Sequence, residues 1–322
     1  MRLFSVITPV FNSYNLMGRY FRSFEKQTYK NFELIIVDDC STDNSYEQLV
    51  SFSQKTSLTI KVVRTKVNSG PGVARNIGLA NATGEWFTYV DNDDWVDFQL
   101  FERMNQLIEE NEINCVVYNY YVANGKHKVE SQSVYYGNEG LIPVTDAIVA
   151  VRNHTWGKFY RMICCKHVSF PPLMTAEDVA YVSQAIAACG NCYYLKDHLY
   201  YYYQRTNSIS NKSRYGVNNM LMAYKILWDK LGTDYSDALE EKSIPDCLYS
   251  GVKILCNEGC CRSDIIKYID NYETKVANWW NYPIVRSIGR SKYVFLWLIK
   301  HRIINGLRFL SWIHRTIIKI KF

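Results

Sequence analysis

The sequence predicts an α/β layered fold with a helical C-terminal extension. Three observations lead there: short apolar runs rich in Val, Ile and Phe, stretches of helical period between them, and acidic residues gathered where the runs end. The runs are FSVITPVF (4–11), FELIIVDD (32–39), LTIKVVRT (58–65), EWFTYVD (85–91) and NCVVYNYY (114–121). They are short and mostly β-branched, as suits the buried strands of a parallel sheet. The helical stretches are Leu16 to Gln27, Ser45 to Gln54, Gly72 to Asn81 and Asp97 to Asn111, with Asp43 and Ser45 placed as N-caps. This alternation predicts right-handed strand–helix–strand units, with ligands beyond the carboxyl ends of the strands. Asn12, the pair Asp38 and Asp39, and Asp91, Asp93 and Asp94 fall at such ends and are expected to converge.

Residues 126–210 read as short strands and loops with a helix near Asp178–Ala188, and residues 211–280 read mostly as helix. With 322 residues, 48% hydrophobic and 21% charged, the chain can bury a substantial core, and its composition is not that of a disordered protein. Ten cysteines, and an N-terminal MRLFSVITPVFN that runs directly into a strand pattern, point to reduced thiols in the cytoplasm rather than a disulfide framework. The net charge of +6 is unevenly placed. From Thr274 onward there are ten Lys/Arg and no acid, whereas the first 273 residues carry 27 basic against 31 acidic groups.

The segment YVDNDDWVD (89–97) places three carboxylates within four positions at the end of an apolar run. Alone, such a cluster reads as a loop with helix caps. A second acidic pair, VDD, ends another strand of the same sheet, and oxygen-only ligands suit a hard divalent cation, Mg²⁺ or Mn²⁺, that bridges to phosphates. NSGPGVARNIG (68–78) supplies what a phosphate needs: Gly70 and Gly72 for close approach, and Arg75 as a cation. Its spacing fits neither the dinucleotide fingerprint nor the GK[ST] phosphate loop, which argues against hydride transfer and ATP hydrolysis.

Taken in order, TPVFN (8–12), SFEKQTYKNFELIIVDDCSTDNS (23–45), GPGVARNIGLANATGEWFTYVDNDDW (70–95) and AED (176–178) resemble the successive motifs of the family 2 glycosyltransferases. The resemblance implies a GT-A fold, a mixed, mostly parallel sheet flanked by helices, acting on a nucleotide-diphosphate sugar. It implies a catalytic domain over 1–210, with a nucleotide-sugar half (1–125) and an acceptor half (126–210), followed by a helical region over 211–322. Backbone around Pro9 and Val10, together with Asp39, would hold the nucleobase, uracil in uridine-using members, with Asp38 supporting the loop or the ribose. Arg75 would meet the nucleotide or its diphosphate, Asp93 would lie near the ribose, and Asp94, with Asp91 and Asp93, would bind the metal. Asn92 stands where the family usually has a small residue, a modest variation on its DxD segment.

Sugar transfer leaves negative charge on the departing phosphate, which a divalent ion stabilises, and the attacking hydroxyl must lose a proton. The resemblance makes Asp178 the general base and Glu177 its neighbour; two acids alone would read as partners of a helix N-terminus. One base acting with direct displacement inverts the anomeric carbon. On the acceptor or diphosphate side, TWGKFYRM (155–162) offers Trp156 and Lys158, with core Trp and solvated Lys as the plainer readings. QRTNSIS (204–210) resembles a closing loop and offers Arg205 and Ser208. CGNC (189–192) has no second pair at zinc spacing and reads as buried thiols.

The tail over 284–322 has no apolar run long enough to span a bilayer. Read as one helix, it carries Leu296, Ile299, Ile303, Leu307, Leu310, Ile313 and Ile317 at steps of three or four. With its basic residues, it is expected to lie on an anionic membrane, the inner face of the cell membrane. The alternative is packing on the body or on a second subunit, which would make a homo-oligomer. The motif order and the acidic body speak against nucleic acid. The functional expectation is an inverting, metal-dependent transferase that moves a sugar, from UDP by preference, to a saccharide acceptor. That acceptor is expected to be lipid-linked, in bacterial capsule or lipopolysaccharide synthesis. The alternative is a non-catalytic saccharide-binding or assembly protein of the same fold.

Overall fold

A computed structural model describes residues 2–124, 127–131, 137–204 and 215–320. The chain divides into two compact units, residues 1–209 and 210–322.

In the first unit the strands are β1 (Phe4–Val10), β2 (Phe32–Asp38), β3 (Ile60–Arg64), β4 (Trp86–Tyr89), β5 (Trp95–Val96), β6 (Cys115–Asn124), β7 (His127–Ser131), β8 (Gly140–Ile142), β9 (Lys158–Arg161) and β10 (Cys192–Tyr203). The helices are α1 (Gly18–Glu25), α2 (Ser45–Ser53), α3 (Pro71–Asn81), α4 (Leu100–Glu110), α5 (Val144–Ala150), α6 (Met162–Cys165) and α7 (Glu177–Cys189). Among the described residues the sheet runs β3-β2-β1-β4-β9-β6-β10-β5, with β7 on β6 and β8 on β10. It is mixed. Strands β3, β2, β1 and β4 are mutually parallel, as are β6 and β10, whereas β9 joins the two sets antiparallel to both β4 and β6.

All five expected strands form, and β1 is buried along its whole length. Their apolar side chains meet Tyr20, Phe24, Phe101 and Met104 from α1 and α4. Parallel pairing of β1 with β2 and β4 brings Val10, Asp38 and the residues after Tyr89 to one edge of the sheet. The N-cap of α2 is Asn44 by position, while Asp43 accepts the Ser45 amide at 2.9 Å, a local turn bond rather than a helix cap.

The second unit is helical: α8 (Tyr215–Ser243, kinked at Tyr235), a π-helical turn over Ile244–Tyr249, α9 (Ser250–Asn257), α10 (Arg262–Glu273), α11 (Pro283–Ser287), α12 (Arg290–Lys300) and α13 (Ile304–Ile320). The tail is therefore two helices rather than the single one expected. Arg302 adopts a left-handed φ of 55° and its guanidinium pairs with Asp270 at 2.8 Å and Glu273 at 2.6 Å, which fixes the break. Leu296, Ile299, Ile304 and Leu307 are buried, whereas Ile303 of the expected stripe is exposed, together with Trp297, Phe309 and Trp312. Among the described residues no helix is long and apolar enough to cross a membrane.

Candidate active site

Three strand ends meet through their own backbone. The Asp39 amide donates to the Val10 carbonyl at 2.7 Å, and the Asn92 side-chain amide donates to the Pro9 carbonyl at 2.8 Å. Asn12, itself left-handed at φ 49°, accepts the amide of Thr42 at 2.8 Å and so clasps the loop after β2. Asp38 is fully buried and receives the Ser41 amide and the Arg64 guanidinium on one oxygen, which makes it a support for that loop. Asp39 receives the Thr65 hydroxyl at 3.0 Å and the amides of Ser69 and Gly70, the latter at 2.7 Å. Gly70, at φ +86°, begins the turn that aims those amides.

Arg75 connects the two acidic motifs. Held on α3 and almost fully buried, it donates to Asp91 at 2.9 Å and to Glu177 at 3.4 Å. Burial works against its charge, but Asp91, Glu177 and Asp178 together outweigh that and raise its pKa. Glu177 is raised by burial, an effect Arg75 partly offsets. Close approach of α3 to α7 depends on Gly72. A Cβ there would lie 2.9 Å from the Glu177 Cγ and 3.2 Å from the Phe170 Cβ. Ala176 precedes α7 in a left-handed conformation, so the chain turns sharply into Glu177 and Asp178. Asp178 is partly exposed and accepts the Val179 amide at 2.9 Å.

Of the three aspartates after β4, Asp91 and Asp93 keep partial exposure and Asp94 does not. Asp94 is fully buried, and its two oxygens accept the Tyr200 hydroxyl at 2.6 Å and the Tyr203 amide at 2.7 Å. Burial, then the charges of Asp91 and Asp93, push its carboxyl well above the usual carboxylate range. As placed, Asp94 anchors the loop to β10 through both oxygens. Among the described residues no three His, Cys, Asp or Glu side chains form a metal cage. Asp91 and Asp93 still offer hard oxygen donors on one loop, and Mg²⁺-like ions commonly take one or two carboxylates and complete their shell with water and phosphate. The residues present fit such an ion.

Trp156 and Lys158 are both buried behind this loop. The Trp156 ring stacks on His154 at 3.7 Å and on Tyr200 at 4.5 Å, and with 6% exposed it offers no open face to a sugar. The Lys158 ammonium donates to the His154 carbonyl at 2.6 Å. Burial and the Lys158 charge hold His154 well below the usual imidazole range. Arg205 and Ser208 lie outside the described residues. Cys189 and Cys192 of CGNC are buried, with sulfur contacts to Cys165 at 3.7 Å and Cys115 at 3.5 Å respectively. Tyr200 was not legible as a site residue: it sits in a Tyr-rich run where nothing marks one ring as the partner of Asp94.

Parallel strands that end together in carboxylates, joined through β9 to a second strand set, define a GT-A fold. The "Glycosyl transferase family 2" profile matches residues 5–164, and by this domain the chain belongs to that family of glycosyltransferases. Glycosyltransferase GlyA of Streptococcus pneumoniae is 31% identical over 224 residues, 64% of this chain and 31% of GlyA. The poly(ribitol-phosphate) β-N-acetylglucosaminyltransferase TarS of Staphylococcus aureus is 30% identical over 208 residues, 63% of this chain and 35% of TarS. These matches span about a third of either relative's length. The crystal structure of TarS residues 1–349 with UDP-GlcNAc superposes with a TM-score of 0.76 at 22% identity, covering 98% of this chain and 92% of that one. GalNAc-T7 with UDP, GalNAc and Mn²⁺ gives 0.58 at 16% identity, covering 89% and 57%.

Proposed function

We propose that the chain transfers a sugar from a nucleotide-diphosphate sugar to a saccharide hydroxyl, with inversion, and that UDP-GlcNAc is the first donor to test. The observation that supports this most is Arg75 joining Asp91 to Glu177, beside Asp178. It links the loop suited to a diphosphate and metal with the helix turn suited to a base. The N-terminus of α3 and the Arg75 charge favour a diphosphate there. Asp39 already receives three donors and a carboxylate has about four acceptor sites, so a uracil imide would be its last partner. Asp91 and Asp93 would hold Mn²⁺ or Mg²⁺, which supplies Lewis-acid stabilisation of the leaving diphosphate. Asp178 would take the acceptor proton, positioned by the start of α7. Asp94, Tyr200 and Trp156 would hold the acidic loop in place.

The basic tail, with Trp297, Phe309 and Trp312 exposed, supports attachment to the inner face of an anionic membrane, where a lipid-linked acceptor of surface polysaccharide would be met. The test of the whole reading is thermal stabilisation by UDP-GlcNAc with and without Mn²⁺, together with slow donor hydrolysis. Metal-dependent stabilisation that disappears in Asp93→Ala supports it. Stabilisation without any hydrolysis or transfer, unchanged in Asp178→Asn, would favour the saccharide-binding alternative.

A further inference from the structure

Helix α1 has two faces. Tyr20, Phe21 and Phe24 enter the core, while Arg19, Arg22 and Lys26 recur at steps of three and four on the other side and are exposed. These three cations line one wall of a cavity of about 350 Å³, whose opposite wall is Trp95, Phe98 and Tyr201 from β5, the turn after it and β10. The walls are fixed to each other. The Val96 amide donates to the Ser23 hydroxyl, the Gln27 side-chain amide donates to the Asp97 carbonyl at 2.7 Å, and the Thr28 amide donates to the Phe98 carbonyl at 2.9 Å. The Arg19 guanidinium lies 4.9 Å from the Trp95 ring centroid and 4.5 Å from that of Tyr203, and Trp95 stacks on Tyr201 at 5.4 Å.

Positive charge is in excess here, three cations against one acid. Among the described residues no carboxylate forms an ion pair with Arg19, Arg22 or Lys26, and Asp97 is the one acid in the lining, its oxygens already accepting the Gln99 amide and the Tyr201 hydroxyl. Phe98 is 51% exposed, an apolar surface of the kind that packs against a sugar ring. The cavity is tied to the acidic loop by the chain: Trp95 follows Asp94, and Tyr203, which carries Arg19 on its ring, donates its amide to Asp94.

We propose that this cavity is an acceptor subsite for an anionic saccharide, its phosphate or carboxylate held by Arg19, Arg22 and Lys26 and a sugar ring resting on Phe98. The proposal rests on the transferase reading for the word acceptor, but the anion site itself does not. Arg groups pair with planar carboxylates and with phosphates by parallel N–H donors, and Lys adds a point charge. An acceptor anchored here would run along α1 and β5 toward the acidic loop, so its charge would select the acceptor while leaving donor chemistry untouched.

The test is calorimetric titration, at low salt, of the full chain and of the Arg22→Gln/Lys26→Gln double variant. The probes are a phosphorylated mannan oligosaccharide, a hyaluronan hexasaccharide and uncharged maltohexaose. Both substituted side chains are exposed, and stabilisation by UDP-GlcNAc with Mn²⁺ serves as the control for an intact donor site. Expected is binding of a charged probe, at least tenfold weakened in the double variant, with the donor control unchanged and maltohexaose inert. Preference between the phosphorylated and carboxylated probes identifies the anion. Equal binding of maltohexaose, or equal affinity of wild type and double variant, overturns the proposal. Variant-sensitive anion binding in a protein that ignores every donor keeps the anion site and removes the transferase reading instead.

Discussion

The two sides of the acidic loop differ in how they are built. In front, at the ends of β1, β2 and β4, the candidate side chains are held by bonds to the backbone of neighbouring loops and strand ends: Asn12 to Thr42, Asp39 to Gly70, Asn92 to Pro9. Behind, on β9, β10 and the turn before β9, Trp156, Lys158 and Tyr200 are buried, and they meet the acidic loop through Tyr200, which bonds the Asp94 carboxyl and accepts the Asp91 amide. On the proposed reading the front would present groups to a substrate and the back would set their position. Changes in front should therefore alter chemistry with little effect on stability, and changes behind should act first on stability and through it on the site.

Asp178→Asn sharpens that contrast most. It should lower turnover by about 10²–10⁴-fold, the usual contribution of a general base, with melting temperature and donor binding close to wild type. Stopped turnover accompanied by loss of donor binding would move Asp178 out of that role. On the other side, Trp156→Ala removes a buried ring and should cost on the order of 3–5 kcal/mol of stability, read by denaturant titration. A cost under about 1 kcal/mol would show that the stack does not brace the loop. Tyr200→Phe leaves packing but deprives Asp94 of its hydroxyl donor. About 1–3 kcal/mol of stability should go, together with some weakening of metal-dependent donor binding.

The smallest effect concerns pH. Burial lifts Glu177 above its ordinary range, with Arg75 opposing, so the folded state holds that proton more tightly than the unfolded state. Its contribution is present below the unfolded value and is lost as pH rises through the folded one. The stability of Glu177→Gln relative to wild type should thus grow as pH climbs out of the acid range, then level off. A difference that is flat with pH in denaturant titrations would mean that Arg75 cancels the burial.

The front was readable because its grammar is local. Apolar runs ending in Asn or Asp give both the strand and the position of the acid, and helical period places Arg75 on α3 and Glu177 at the start of α7. The back was not. KDHLYYYY lacks the plain apolar alternation of a strand, yet it completes β10, twelve residues long, because β6 and β5 pair with it. Nothing in DNDD says which carboxylate turns inward, since that is decided by Tyr200 and Tyr203 more than a hundred residues away. The break in the tail was hidden for the same reason: Asp270 and Glu273 capture Arg302 in a conformation no helical periodicity announces.

The thiols behind the sheet have a practical consequence. Cys115, Cys165, Cys189 and Cys192 are shielded from solvent, whereas Cys261 is exposed. An alkylating reagent should mark Cys261 at once and reach the other four only when the first unit opens. The chain thus carries its own clock for opening, and a ligand that tightens the nucleotide edge should slow that clock without any label being introduced.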